Sequence, residues 1–209
     1  MDEQFAKNRV EALSDGIFAI VLTLLVLELR VPDLEAPHSV HELATALWDL
    51  MPKFVAWVIS FVTVCVIYLN HHRLFSLLAR LDRSLFWRNA NVLFWTTAIG
   101  FATALMGDYP ANRLAVSFYG LVGAGMGAAF VWFRFRIQER PDELMLPDVD
   151  RNGFRVGTRY TVILGPVAYL IGAALAWVLP ALAFVVYAGV AVYFVFPHAT
   201  RNRGVQLRR

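Results

Sequence analysis

Arg9, Ser14 and Asp15 stand at the entrance to a long apolar run in the pattern R-x-x-x-L-S-D, and the run behind them holds a single threonine, Thr23. An ionised carboxylate at the edge of a hydrocarbon core needs a cation or several hydrogen-bond donors, because unpaired it is far costlier than any packing gain can offset. Arg9, about a turn and a half before Asp15, is one candidate partner. His71 and His72, in Asn70-His71-His72-Arg73 at the end of the second apolar run, are others. Two chemistries fit these residue types. Arg9, Ser14, Asp15, His71 and His72 could form a structural polar network that clasps helix ends together, or Asp15 could touch a passing cation; the spacing favours the clasp. No third or fourth ligand stands at the depth of the two histidines, and His38 and His41 belong to the opposite face of the membrane, so neither a metal nor a haem is expected, nor any other cofactor.

Deeper in the same run, Ile20, Thr23, Leu24 and Leu27 recur at i, i+3, i+4 and i+7 and therefore share one helical face. If that face lined an axis, copies of the chain would present rings of branched aliphatics with one ring of hydroxyls between them. Ordinary packing against another helix produces the same spacing, and periodicity does not separate the two. Glu28 and Arg30 close the run at its far end, where a carboxylate either draws cations to a mouth or simply snorkels to the interface.

Positioning these residues takes membrane-length elements. The chain is 58% hydrophobic and only 17% charged, with a mean hydropathy of +0.55, well outside soluble composition. Spans need about 20 apolar residues. Six stretches qualify, at roughly 14–31, 50–69, 87–106, 113–133, 157–179 and 181–197. The last two come from one apolar stretch about twice the bilayer core in length, and Pro180 marks the break that turns it into a helical hairpin. The expected fold is an all-α, polytopic membrane protein, a single six-helix domain over residues 1–209.

Sixteen of the nineteen Lys and Arg residues fall on one side if six spans alternate: Lys7 and Arg9, then the arginines of 73–88, of 134–159 and of 201–209. The stretch 32–49 holds Asp33, Glu35, Glu42 and Asp49 with no Lys or Arg. Both termini are therefore expected in the cytoplasm. Lys7 and Arg9 before an apolar core could suggest a signal peptide, but Glu28 and Arg30 occupy the place of small cleavage-site residues, which makes this a retained first span. The Arg-rich segment 134–159, broken by Pro141 and Pro147, reads as a topology determinant near anionic headgroups.

Other features read as packing. Cys65, the only cysteine, is a small buried hydrophobe and has no disulfide partner. Gly120, Gly123 and Gly127, with Gly125, Ala124 and Ala128, give the fourth span small residues that let helices approach closely. Most of the tryptophans flank spans, but Trp57 and Trp95 sit deeper, where an indole N–H wants a partner. Several classes are excluded by what is missing. There is no T-V-G-Y-G filter, no repeated Arg in the fourth span, no G-x-S-x-G, no H-E-x-x-H and no phosphate-binding glycine loop, so an enzyme has no footing. The small basic excess gives no support to nucleic-acid binding.

The R-x-x-x-L-S-D entrance, its continuation Gly16-Ile17-Phe18-Ala19-Ile20 to Thr23-Leu24-Leu25, and Asn70-His71-His72 with Leu74-Phe75 resemble the bacterial transmembrane-protein-175 family of potassium channels, with Leu13 where that family has Phe. The resemblance implies a homotetramer in the bilayer whose first helices line a central pore. Its narrowest ring would be Ile20, with Thr23, Leu24 and Leu27 nearby, an apolar constriction in place of a carbonyl selectivity filter. The implied activity is potassium-preferring cation conduction in the cell inner (plasma) membrane. A small secondary transporter or proton-coupled carrier is the alternative, and a non-conducting membrane interaction protein a third. Transport would favour ionisable residues at mid-membrane, and the mid-depth positions are almost wholly apolar.

Overall fold

The computed structural model describes residues 6–195, with the side chains of 159–164 excepted. Its elements are α1 (Lys7–Leu24) with a tighter 3₁₀ turn (Leu25–Glu28), α2 (Val40–Asp49), α3 (Met51–Ser76), α4 (Arg83–Asp108), α5 (Arg113–Glu139), α6 (Pro141–Leu144), α7 (Arg151–Val162), a wide π turn (Ile163–Val167), α8 (Ala168–Leu175) and α9 (Pro180–Val195). An isolated antiparallel bridge pairs Leu78 with Met145.

Among the described residues, four helical segments are long and apolar enough to cross a bilayer: Lys7–Glu28, α3, α4 and α5. The later apolar helices, α8 with the end of the π turn and α9, are shorter. Helix starts follow capping chemistry. Asp82 Oδ1 accepts from Leu85 N at 2.7 Å at the head of α4, and Asn112 Oδ1 accepts from Leu114 N at 2.9 Å at the head of α5. Pro180 opens α9, where a missing N–H costs nothing, so the break expected there is present. Pro166 lies inside a helical segment, and the wide turn around it is the local adjustment to the hydrogen bond that proline cannot donate.

Several boundaries differ from the sequence reading. The second apolar run continues as helix to Ser76, so Asn70 to Arg73 lie within the last turns of α3 and not at its end. Arg134 and Arg136 belong to α5, and residues 151–162 form α7, which shortens the supposed arginine-rich loop to 140–150 around α6. Arg201, Arg203, Arg208 and Arg209 lie outside the described residues, as does the end of the sixth expected span.

Burial ranks the helices. α5 has 72% of its most apolar window buried, against 28% for Lys7–Glu28, so α5 is the core helix and the first helix is peripheral. α4, α7, α8 and α9 all pack on α5. The small-residue stripe of α5 works differently from simple helix approach. At Gly123 a methyl group would run into the ring of Tyr169, while at Gly127 it would stand 2.9 Å from the backbone nitrogen of Pro166. The first glycine seats an aromatic ring and the second admits backbone. Tyr169 is itself held, its hydroxyl 3.1 Å from Thr63 Oγ1 and its ring stacked on Tyr187 at 5.7 Å. Gly123→Val should therefore destabilise the protein by about 1–3 kcal/mol, the usual cost of forcing extra volume into a packed core. Thermal melting in detergent measures this, and an unchanged midpoint would mean that Tyr169 swings aside freely.

One end of the molecule is clasped by the segments that carry the arginines. Ala79 N donates to Leu144 O at 2.8 Å and Leu146 N to Leu77 O at 3.0 Å, joining the α3–α4 connection to the segment after α5. Arg136 bonds Asp82 at 2.6 Å, and Lys7 Nζ donates to Leu78 O at 2.8 Å. Burial pushes the Asp82 carboxyl up, but the Leu85 amide and the Arg136 guanidinium outweigh it and hold the group below the ordinary carboxylate range.

Candidate functional site

The first helix has two unlike faces. Val10, Ser14, Phe18, Val21 and, in the 3₁₀ turn, Leu25 are buried and pack on α3 and α4. Ile20, Thr23, Leu24 and Leu27 all lie on the free face, together with Leu13. Leu13 is 52% exposed, Ile20 57%, Leu24 52% and Leu27 66%. Packing of this face against another helix of the same chain, which periodicity left open, is not seen among the described residues. Thr23 Oγ1 lies 3.0 Å from Ala19 O and 2.9 Å from Ile20 O. Its proton is thereby used within the helix, and its oxygen keeps acceptor capacity on an otherwise aliphatic surface. Glu28 ends this segment, half-buried in the 3₁₀ turn, and Arg30 beyond it is exposed.

Behind the free face lies a buried chain of hydrogen bonds. Ser14 Oγ donates to Val10 O at 2.8 Å, Asn89 Nδ2 donates to Ser14 Oγ at 2.9 Å, and His71 Nε2 sits 2.7 Å from Asn89 Oδ1. All three side chains are almost completely buried. They come from α1, α4 and α3, so one asparagine ties the first helix to both of its supports. His71 is stacked on Phe75, with ring centroids 4.4 Å apart, and flanked by Phe18 at 5.3 Å.

The rest of the expected network is arranged otherwise. His72, adjacent to His71 and so about 100° round the helix, is more than half exposed, and its Nδ1 is 3.6 Å from Glu11 Oε1. Arg9 is exposed. Asp15 Oδ1 is buried without a hydrogen-bond partner among the described residues, and no hydrogen bond or ion pair there joins Asp15 to Arg9 or to a histidine, although its charge acts on the nearby His71 ring. Ser14 and His71 are brought together, but through Asn89, which sequence reasoning missed. The signal was available: an asparagine in a span demands partners, and both Ser14 and His71 lacked them.

The interior between the long helices is also less apolar than the sequence reading held. Thr103 Oγ1 lies 2.7 Å from Ser60 Oγ, and Ser60 Oγ lies 3.1 Å from Tyr119 Oη. Hydroxyls of Ser60, Thr96 and Thr103 also return to carbonyls of their own helices. These groups are neutral and mutually satisfied, the arrangement that makes burial tolerable in a membrane. Of the deep indoles, Trp95 lies against Gly125, where a methyl group would meet its ring at 2.7 Å, and Trp57 Nε1 is buried without a hydrogen-bond partner among the described residues. Among those residues no three His, Cys, Asp or Glu side chains gather as a metal site requires.

Residues 9–99, which include every candidate residue from Arg9 to Asn89, match the family model described as endosomal/lysosomal potassium channel TMEM175. A potassium channel of Chamaesiphon minutus is 37% identical over 196 residues, covering 92% of this chain and 95% of the relative. A potassium channel of Streptomyces collinus is 35% identical over 195 residues, covering 90% of this chain and 91% of that one. The fold is similar to the crystal structure of a lysosomal potassium-selective channel TMEM175 homologue from Chamaesiphon minutus, with a TM-score of 0.80 at 33% identity over 90% of this chain and 96% of that chain. Sequence likeness over nearly the full length and a shared helical architecture agree, and the chain belongs to the TMEM175 family of potassium channels.

Proposed function

We propose that this chain forms a homotetrameric, potassium-preferring cation channel in the cell inner membrane, with the free face of the first helix lining the axis and Ile20 as its narrowest ring. The observation that carries the reading is the two-faced first helix: one side buried on α3 and α4, the other apolar, exposed and marked by a single hydroxyl. One chain offers a single such helix, so an axial pathway requires copies around a symmetry axis. An aliphatic ring narrow enough to strip water discriminates by hydration: potassium is larger and less tightly hydrated than sodium and loses less on entry. Thr23, one turn on, offers oxygen acceptors to an ion that has just shed water. The relatives named as potassium channels support the choice of ion.

The reading takes the end of α7, the π turn and α8 as a fifth span and α9 as a sixth, which puts the clasped, arginine-bearing end and both termini in the cytoplasm. Purified protein in liposomes should carry potassium faster than sodium, and flux no greater than in empty liposomes would end the proposal. Single cysteines at Ser39 and Asp148, both solvent-accessible sites outside the long helices, should label from outside and inside respectively in a Cys65→Ser background. Labelling of both from the same side would overturn the topology.

A further inference from the structure

The connection between the first helix and α3 holds a helix with three different sides. At about 100° per residue, Glu42, Ala46 and the C-terminal Leu50 fall on one side, and these are the residues partly covered by the rest of the chain. Glu42 anchors that side: its carboxylate accepts from Glu35 N at 2.7 Å and from Ala36 N at 2.9 Å. The next side carries His41, Thr45 and Asp49, all exposed. The third carries Val40, Leu43, Leu47 and Trp48, exposed by 83%, 40%, 43% and 74%. No residue of α2 is fully buried.

Three sectors of about 120° each match the three media that meet at the rim of a membrane protein: protein, water and lipid. The ends of α2 fix its height. It follows the segment ending at Glu28 and runs directly into α3 at Met51, so it is tethered to the ends of two membrane-length helices, at the end of the molecule away from the arginine clasp. Its apolar side continues into exposed Met51, Val55 and Val58 of α3. Trp48 stands where the apolar side gives way to the polar one, the position an interfacial indole takes. The helix has no Lys or Arg, so attraction to anionic headgroups is not its means of attachment.

We propose that α2 lies in the headgroup boundary of the leaflet opposite the arginine clasp, with Val40, Leu43, Leu47 and Trp48 against acyl chains and His41, Thr45 and Asp49 in water. The occupant of its apolar side is lipid and not a second copy of the chain. Nitroxide labels on single cysteines in a Cys65→Ser background, read in phosphatidylcholine liposomes, test this without reference to ion flux. Labels at Leu43 and Leu47 should collide more with oxygen than with a water-soluble nickel chelate, and labels at Thr45 and Asp49 the reverse. Nickel-dominated collisions at Leu43 and Leu47 would place that side in water, and exclusion of both colliders would place it under protein; either result overturns the proposal. An unlabelled check uses brominated lipids. The fluorescence lost on changing Trp48→Phe should be quenched by bromines near the headgroup, and insensitivity of that component to any brominated lipid would also overturn it.

Discussion

Ile20→Asn should raise conductance and lower the preference for potassium over sodium. An amide at the narrowest ring hydrates a passing ion, so the dehydration step that separates the two ions is lost. The effect is large because little energy sets it: a tenfold preference corresponds to about 1.4 kcal/mol between the two barriers. Ile20 is 57% exposed on the free face and is not one of the buried core residues, so the change should leave the subunit folded. If that face instead packs against a helix of a neighbouring subunit, the amide would be buried in an apolar contact, assembly would weaken and selectivity in surviving channels would stay put. Reversal potentials under potassium and sodium gradients, recorded beside gel filtration of the same preparation, separate these outcomes. A variant that assembles normally with unaltered selectivity would remove Ile20 from the filter.

The long helices were legible because apolar length and capping are local properties: the spans over α1, α3, α4 and α5 follow from composition, and Pro180 marks a break that needs no tertiary information. Which face of the first helix is buried was not legible. Phe18, Val21 and Leu25 are as apolar as Ile20, Leu24 and Leu27, so hydrophobicity carries no phase in a membrane helix and only the packing on α3 and α4 breaks the tie. The same holds for the histidines. His71 and His72 are adjacent in sequence, but only His71 points inward, and it was the position of Asn89 on α4 that decided its partner. α2 escaped notice because a ten-residue amphipathic helix inside an acidic connection has neither the length of a span nor the turn residues of a loop. The arrangement around Gly123 and Gly127 depends on Tyr169 and Pro166, some forty residues away in sequence.

Asn89→Leu should weaken the hold of the first helix on its supports by about 1–3 kcal/mol, the cost of leaving buried polar groups unpaired. Asn89 links Ser14 to His71, and without it the His71 ring has no described partner at either nitrogen, since Nδ1 has none in the native structure. Ser14 suffers less, because its own proton already goes to Val10 O. This asymmetry supplies a control. Changing His71→Phe in the same chain removes the orphaned imidazole and puts a benzene ring among Phe18, Phe75 and Phe133, where the site is already aromatic. Replacing both partners by apolar groups of similar shape should therefore recover most of the stability lost by the single Asn89 change, while His71→Phe alone strands the Asn89 carbonyl. Thermal unfolding of the wild type, both single variants and the double variant closes the cycle. Strictly additive losses would show that the two side chains are not coupled.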